Sequence, residues 1–403
     1  MGSDAGAGAS GWPAGLTDEV SRELLASGEL SWCYAYLDLR ATTEGPPKSA
    51  ALWFGELLVE GGAGLFVLGE ALYPSGREDV TVLLDGASGE VYLACLGEDG
   101  LLRCDLLASS PRALVTLMLV VESTTLCAAG DYERAEDDDG APYGPTTVDA
   151  AVRLGLREMR EADPQLWERT DGRPAHWEIA LGVRALAWGA APGKPGEGFT
   201  VGSDLVADLA ELTGDGTLRR FRPDELPEPL LHDATRRLLT DVGLPLSDRC
   251  ALTIAADGPL TTMAQRYPSG YAPDRDGELT ARPYQGDYVA LGGWMYDLDV
   301  ALDCATGRLE LPDRYDDDRP APYLHRDLAT LLHVLWTYER LRAERRRWNR
   351  PGAVSSWAVF RPRDLLDSVG EAVLRALDPP AWATESHFWP MRTDDGHMGA
   401  LLE

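Results

Sequence analysis

The residues able to do chemistry in this sequence are mostly carboxylates. Two runs stand out, Glu136-Asp137-Asp138-Asp139 and Asp313-Arg314-Tyr315-Asp316-Asp317-Asp318. A hard cation is one use for such runs. It needs roughly six or more oxygens converging from spaced positions, as in a loop closed by a bidentate Glu. Neither run has that spacing, and consecutive Asp side chains in a loop point in different directions. Asp297, Asp299 and Asp303 do not supply it either. The histidines form no cluster: His325 and His333 miss the i,i+4 spacing of a helical ligand pair. His232 precedes a helix start, where a turn or cap role fits better than catalysis. Cys33, Cys95, Cys104, Cys127, Cys250 and Cys304 are scattered, without a Cys-x-x-Cys pair, so neither a zinc site nor a disulfide framework is expected. No Gly-x-Ser-x-Gly elbow is present. Gly193-Lys194 is followed by Pro195 where a phosphate loop needs Ser or Thr. The paired zinc motifs of a deaminase are missing. The expectation is no catalytic residue, no metal and no cofactor: a protein that is not an enzyme.

The carboxylates therefore point to recognition. The chain has 66 acidic against 37 basic residues, a net charge of −29. Phosphates repel such a surface, so direct binding to DNA or RNA is not expected. The charge either serves solubility or meets a basic protein partner. Aromatic residues beside charge are what interface hot spots use. The partner-binding candidates are thus Glu136, Asp137, Asp138, Asp139, Asp313, Tyr315, Asp316, Asp317, Asp318 and Tyr323. Arg340 to Arg350 is a basic run at a helix end, expected to be solvated, with docking onto an acidic loop as a second reading. Leu114 to Val121 is too short to span a bilayer. Met1 to Ser10 lacks the features of a signal peptide. A cytoplasmic protein without a membrane partner is expected.

The elements that position these residues occur twice. Val82-Leu83-Leu84-Asp85 leads through Gly89 to Val91 and Leu93; Val300-Ala301-Leu302-Asp303 leads through Gly307 to Leu309 and Leu311. Asp bonds nearby backbone in turns and Gly accepts positive φ, so both read as hairpins with one buried face. A helix follows each. One starts at Ser110-Pro111 with a stripe of Leu114, Leu117, Met118 and Val121. The other carries Leu328, Leu331, Leu332, Leu335 and Tyr338. Each half closes on a helix ending in Asp-Pro-x-x-Trp, Asp163 to Trp167 and Asp378 to Trp382. The tags lie 215 residues apart and the hairpins 218. One unit is repeated.

At 403 residues, 44% of them hydrophobic, two or three domains with real cores are expected. The reading in order is a disordered 1–15, a first domain 16–185, a Pro/Gly linker 186–199 and a second domain 200–403. Within these, Leu16 to Leu30 reads as a helix capped at Thr17, and Trp32 to Leu39 and Leu52 to Glu60 as strands. Asp131 to Gly144 is an acidic loop. His176 to Trp188 and Leu218 to Arg222 read as strands, and Leu230 to Val242 as a helix.

The second half carries a resemblance. Arg219-Arg220-Phe221-Arg222-Pro223, then His232-x-x-Thr235-Arg236 and Gly243-Leu244-Pro245, resemble the start of the fourth subfamily of the SUKH superfamily. The hairpin at Asp303 to Gly307, the helix from Leu328, Trp382 and Phe388-Trp389-Pro390 continue it. In the first half the hairpin and helix match, but the His-x-x-Thr-Arg lead-in and Gly-Leu-Pro are not found. The resemblance implies an α+β fold, two tandem copies of a twisted, mostly antiparallel sheet wrapped by helices, the N-terminal copy diverged. It implies an immunity protein of bacteria that neutralises a polymorphic toxin, often a nuclease or deaminase, without catalysis of its own. A non-catalytic adaptor in a bacterial protein complex is the alternative.

Overall fold

The computed structural model describes residues 11–30, 33–34, 36–39, 46–55, 62–72, 80–136, 144–187, 201–271, 283–295, 298–312, 321–352, 359–394 and 402, with backbone alone for 33–34 and 125–136. The chain divides into two compact units. Unit 1 takes Met1–Gly130, Ala150–Ala185 and Glu344–Val369; unit 2 takes Asp131–Asp149, Leu186–Ala343 and Gly370–Glu403.

Unit 1 opens with α1 (Glu19–Ser27), β1 (Cys33–Tyr34), β2 (Leu37–Asp38) and α2 (Ala50–Phe54). Then come β3 (Leu65–Ala71), β4 (Thr81–Asp85), β5 (Val91–Leu96) and β6 (Leu102–Ala108). The six strands form one antiparallel meander in chain order. Helices α3 (Pro111–Glu136), α4 (Pro145–Ala162), α5 (Pro164–Arg169) and α6 (Ala175–Ala187) follow.

The long middle segment of unit 2 opens with α7 (Ser203–Thr213). Strands β7 (Leu218–Arg219) and β8 (Leu244–Pro245) pair across α8 (Asp233–Arg237), which runs on as a wider π-type turn over Leu238–Val242. Next are β9 (Leu252–Thr253), β10 (Thr261–Thr262), α9 (Met263–Arg266), β11 (Val289–Trp294), β12 (Leu298–Leu302), β13 (Leu309–Glu310) and β14 (Tyr323–His325). They form an antiparallel sheet ordered β10-β11-β12-β13-β14, with β9 also paired to β11. Helices α10 (Leu328–Trp348), α11 (Pro362–Leu377) and α12 (Phe388–Asp394) complete the chain, the end of α10 and the start of α11 being counted in unit 1. Mixed helix and antiparallel sheet is the α+β class expected.

The repeated hairpins are built alike. Asp85 Oδ1 accepts from the N–H groups of Ala87 and Ser88, and Asp303 Oδ1 from those of Ala305 and Thr306. Gly89 and Gly307 both sit at φ 78°, where a Cβ would clash with its own backbone. Upstream, β3 bulges between Val67 and Gly69, and β11 between Ala290 and Gly292. A Cβ on Gly69 would lie 1.9 Å from Asp38 O of β2, and one on Gly292 2.4 Å from Thr253 O of β9. Glycine is needed there for close approach of a neighbouring strand.

The lead-in helices match as well. Thr17 and Asp18 donate backbone N–H groups to Gly86 O; Leu231 and His232 donate theirs to Cys304 O. Asp18 caps α1 and binds Ser21; His232 stands at the N-cap of α8 and binds Thr235 through Nδ1, 2.8 Å. Arg22 then reaches back to Thr17 O, and Arg236 to Leu230 O. The His-x-x-Thr-Arg lead-in thus has a counterpart in Asp18-x-x-Ser21-Arg22, hidden in the sequence because Asp replaces His.

Several local expectations are corrected. Leu52 lies in α2 and not a strand, because Ser49 Oγ caps that helix through Leu52 N. His176 belongs to α6: a short apolar run does not separate a buried helix from a buried strand. Helix α1 is capped by Asp18 and not Thr17. Only Leu218 and Arg219 pair as a strand, and the helix expected over Leu230 to Val242 begins at Asp233. The acidic loop starts later than expected, since α3 continues through Glu136. Strand β6 was not anticipated. The basic end of α10 is engaged and not simply solvated: Arg340 pairs with Asp208 and Asp149, Arg345 with Asp367, and Arg347 with Glu178 and Glu344.

Candidate protein-binding surface

Of the expected partner-binding residues, Asp137, Asp138, Asp139, Asp313, Tyr315, Asp316, Asp317 and Asp318 lie outside the described residues. Glu136 ends α3. Tyr323 opens β14, half-buried, and its hydroxyl donates to Asp378 at 3.1 Å. Burial and then the Asp378 carboxylate push its phenol well above the usual range.

Asp378 anchors a buried polar network in unit 2. His325 Nδ1 donates to Asp378 Oδ2 at 2.7 Å, and Arg326 N donates to the same oxygen at 3.3 Å. Trp389 Nε1 donates to His325 Nε2 at 3.1 Å. An indole N–H can only donate, so Nε2 is the acceptor, the proton is on Nδ1 and the imidazole is neutral. A His–Asp pair resembles a catalytic dyad. Here both ring nitrogens are engaged and His325 is fully buried, so no reacting atom can reach it. The network is a tie between strand β14 and the segment after α11. Asp163 has the same place in unit 1, accepting from Ser109 N at 2.8 Å and capping α5 through Leu166 N. Trp382 packs back on unit 2, stacked on Trp389 with 13° between the planes. His333 is buried, and burial drives it down to about 3, so it stays neutral. Burial pushes the Cys250 thiol up to about 12, which keeps it from acting as a thiolate nucleophile. Among the described residues no three His, Cys, Asp or Glu side chains are arranged to hold a metal ion.

The surface feature that stands out is one face of the second sheet. Alternation along the strands sends Val289, Val300, Leu302 and Leu309 to a fully buried face. The other face carries Ala290, Asp299, Ala301 and Glu310, where Ala290 pairs with Ala301 and Ala301 with Glu310. Met263 of α9 plugs this face, with Tyr267, Tyr271 and Tyr288 packed partly exposed around it. Tyr267 OH donates to Asp299, and Tyr284 OH to Glu310 at 2.9 Å. Gln285 Nε2 adds a bond to Glu310 at 2.8 Å, and Arg308 an ion pair. Tyr284 is half exposed and meets Tyr288 edge to face at 5.8 Å. Burial and the nearby Glu310 and Asp303 raise the Tyr288 phenol, so it remains a neutral hydroxyl.

Four tyrosines, two of them bonded through their hydroxyls to buried carboxylates, make an amphipathic surface. Tyrosine supplies a large contact area with few rotatable bonds, and its fixed hydroxyls keep that area in place. The exposed carboxylate of Asp287 and the half-buried one of Asp303 flank it, partly balanced by Arg266 and Arg308. The equivalent face of unit 1 is closed instead by Phe54, Leu65 and Leu102 around Ala50, Val67, Leu83 and Ala94. Tyr267, Tyr271, Tyr284 and Tyr288 are not among the candidates that charge and motif spacing single out. Their density within one short stretch, with Gly and Ser between, was the available signal.

Residues 205–395 match the family model of the SUKH-4 immunity protein. The match supports the SUKH superfamily for that segment, and a general role in toxin immunity, in a family that is generally non-catalytic. The SUKH-4-like segment holds the whole tyrosine face; the first half lies outside the match. Neither the comparison with curated proteins nor that with solved structures gave a match. Among the described residues no helix is long and apolar enough to cross a membrane.

Proposed function

We propose that this chain is a non-catalytic immunity protein that binds a basic bacterial toxin domain, of the nuclease or deaminase type, and occludes its active site. The observation that carries the reading is the tyrosine face of the second sheet, inside the SUKH-4-like segment. Toxins that act on nucleic acid need a basic groove, and a partner of net charge −29 is steered toward it. The acidic run Asp313, Asp316, Asp317 and Asp318, with Tyr315, lies in the stretch joining β13 to β14 and adds carboxylates close in sequence to Glu310. Glu136 to Asp139 is a second acidic stretch for the same partner. Binding takes place in the cytoplasm, without membrane or nucleic acid.

The N-terminal half is read as a diverged SUKH-like copy. Its support is the shared Asp-to-Gly hairpin, the glycine at the bulge and the Asp18-x-x-Ser21-Arg22 lead-in. Its sheet face is apolar and packed, so the toxin-binding role is assigned to unit 2.

The test is neutralisation of the toxin domain encoded beside this gene. Protein in excess should abolish toxin activity, and Tyr284→Ala should weaken binding tenfold or more, as hot-spot tyrosines do. Charge reversal at Asp316 to Asp318 should slow association. Full toxin activity in the presence of excess protein sinks the reading. Unchanged affinity in Tyr284→Ala removes this face as the interface.

A further inference from the structure

Unit 2 has a second feature that protein neutralisation does not use. An open cleft of about 300 Å³ is lined by Arg249, Arg342 and Arg392, and the buried Trp294 and Tyr338 border it. That volume is at the small end of ligand pockets. Two carboxylates also line it, Asp248 and Glu339, and Glu339 is tied to Arg342 at 2.9 Å. Three guanidinium groups against two carboxylates invert the balance of a chain with net charge −29.

The polar groups at the cleft are mainly donors. Guanidinium groups donate only, as does an indole N–H. Trp294 is 4% exposed, and among the described residues its Nε1 has no acceptor within hydrogen-bonding distance. A buried donor of this kind calls for an acceptor from elsewhere. The ring itself is held edge-on to Phe388 and Trp389, so the N–H direction is set by packing. A ligand for this cleft must bring acceptor oxygens with negative charge.

We propose that the cleft binds a carboxylate, the chemistry shared by a chain's C-terminus and a small organic acid. Arg–carboxylate pairing is planar and often bidentate, and the guanidinium fork matches the carboxylate in shape. This assignment does not rest on toxin binding, and either can fail alone.

The test follows the indole N–H resonance of Trp294 in the full chain, assigned with Trp294→Phe. The probes are N-acetyl-phenylalanine, its amide, a short peptide ending in Phe with a free carboxylate, and inorganic phosphate. The carboxylates should shift the resonance saturably, with the amide at least tenfold weaker. Arg249→Gln, an exposed position, should weaken carboxylate binding about tenfold. A peptide binding more tightly than the capped amino acid assigns a chain terminus as the source, and the reverse order a free acid; both support the site. Equal binding of acid and amide, a response to phosphate alone, or no shift with any probe overturns it.

Discussion

Replacing Asp378 with Ala tests the tie that closes unit 2. The carboxylate is 4% exposed and serves two side-chain donors, His325 Nδ1 at 2.7 Å and Tyr323 OH at 3.1 Å, besides Arg326 N at 3.3 Å. Losing the acceptor leaves each buried donor unsatisfied at about 1–3 kcal/mol. His325 is fully buried and should cost near the top of that range; Tyr323 is half-buried and Arg326 N is at long distance, so both cost less. The sum is about 3–5 kcal/mol. Asp378→Asn keeps one acceptor oxygen for His325 and should cost about 1–2 kcal/mol. Urea unfolding of the full chain measures both, with fluorescence reporting on the tryptophans beside the network. A chain with two compact units can unfold in two steps, so each transition is fitted separately. Asp163→Ala, which strands only the backbone N–H groups of Ser109 and Leu166, is the companion. It should cost about 2–3 kcal/mol and act on unit 1. A loss below about 1 kcal/mol for Asp378→Ala, with the denaturant slope unchanged, would refute the view that this carboxylate holds the segment after α11.

Other expectations are simpler to check. Gly69→Ala and Gly292→Ala each drive a Cβ into a strand carbonyl and should cost about 1–3 kcal/mol or more in thermal or urea unfolding. Gly182→Ala in α6, with open space at its Cβ, should be neutral or stabilise by about 0.5–1 kcal/mol. His333 titrates near 3 when folded, well below its ordinary 6.5, so the unfolded chain takes up its proton first. Its contribution is complete above about pH 6.5 and is lost as pH falls toward 3, by up to about 1.4 kcal/mol per pH unit. Stability measured from pH 7 to 4 should decline less in His333→Asn, and parallel curves would count against that role. Cys250, buried and held as a thiol, should react with a thiol reagent at neutral pH only as the protein unfolds.

The sequence by itself determined the parts whose physics is local. The hairpin turns are legible because Asp at the first position and Gly at the fifth satisfy nearby backbone whatever surrounds them. The helix starting at Pro111 and the two Asp-Pro-x-x-Trp tags are likewise properties of a few neighbouring residues. The repeat followed from their common spacing. Tertiary structure decided what depends on distant partners. Nothing near His325 in sequence says that Asp378 and Trp389 engage both its nitrogens and turn a would-be catalytic pair into a sealed joint. Asp18 standing in for His232 is visible only because both residues sit at the helix start docked on the hairpin, where the carboxylate and the imidazole each bind the hydroxyl three residues on. The tyrosine face is assembled from α9, the stretch before β11 and three strands, and pleating alone decides that Asp299 and Glu310 meet those rings. An apolar run such as the one through Trp177 is left for packing to make helix and not strand, because most of its residues are buried and the helical stripe is blurred in the sequence.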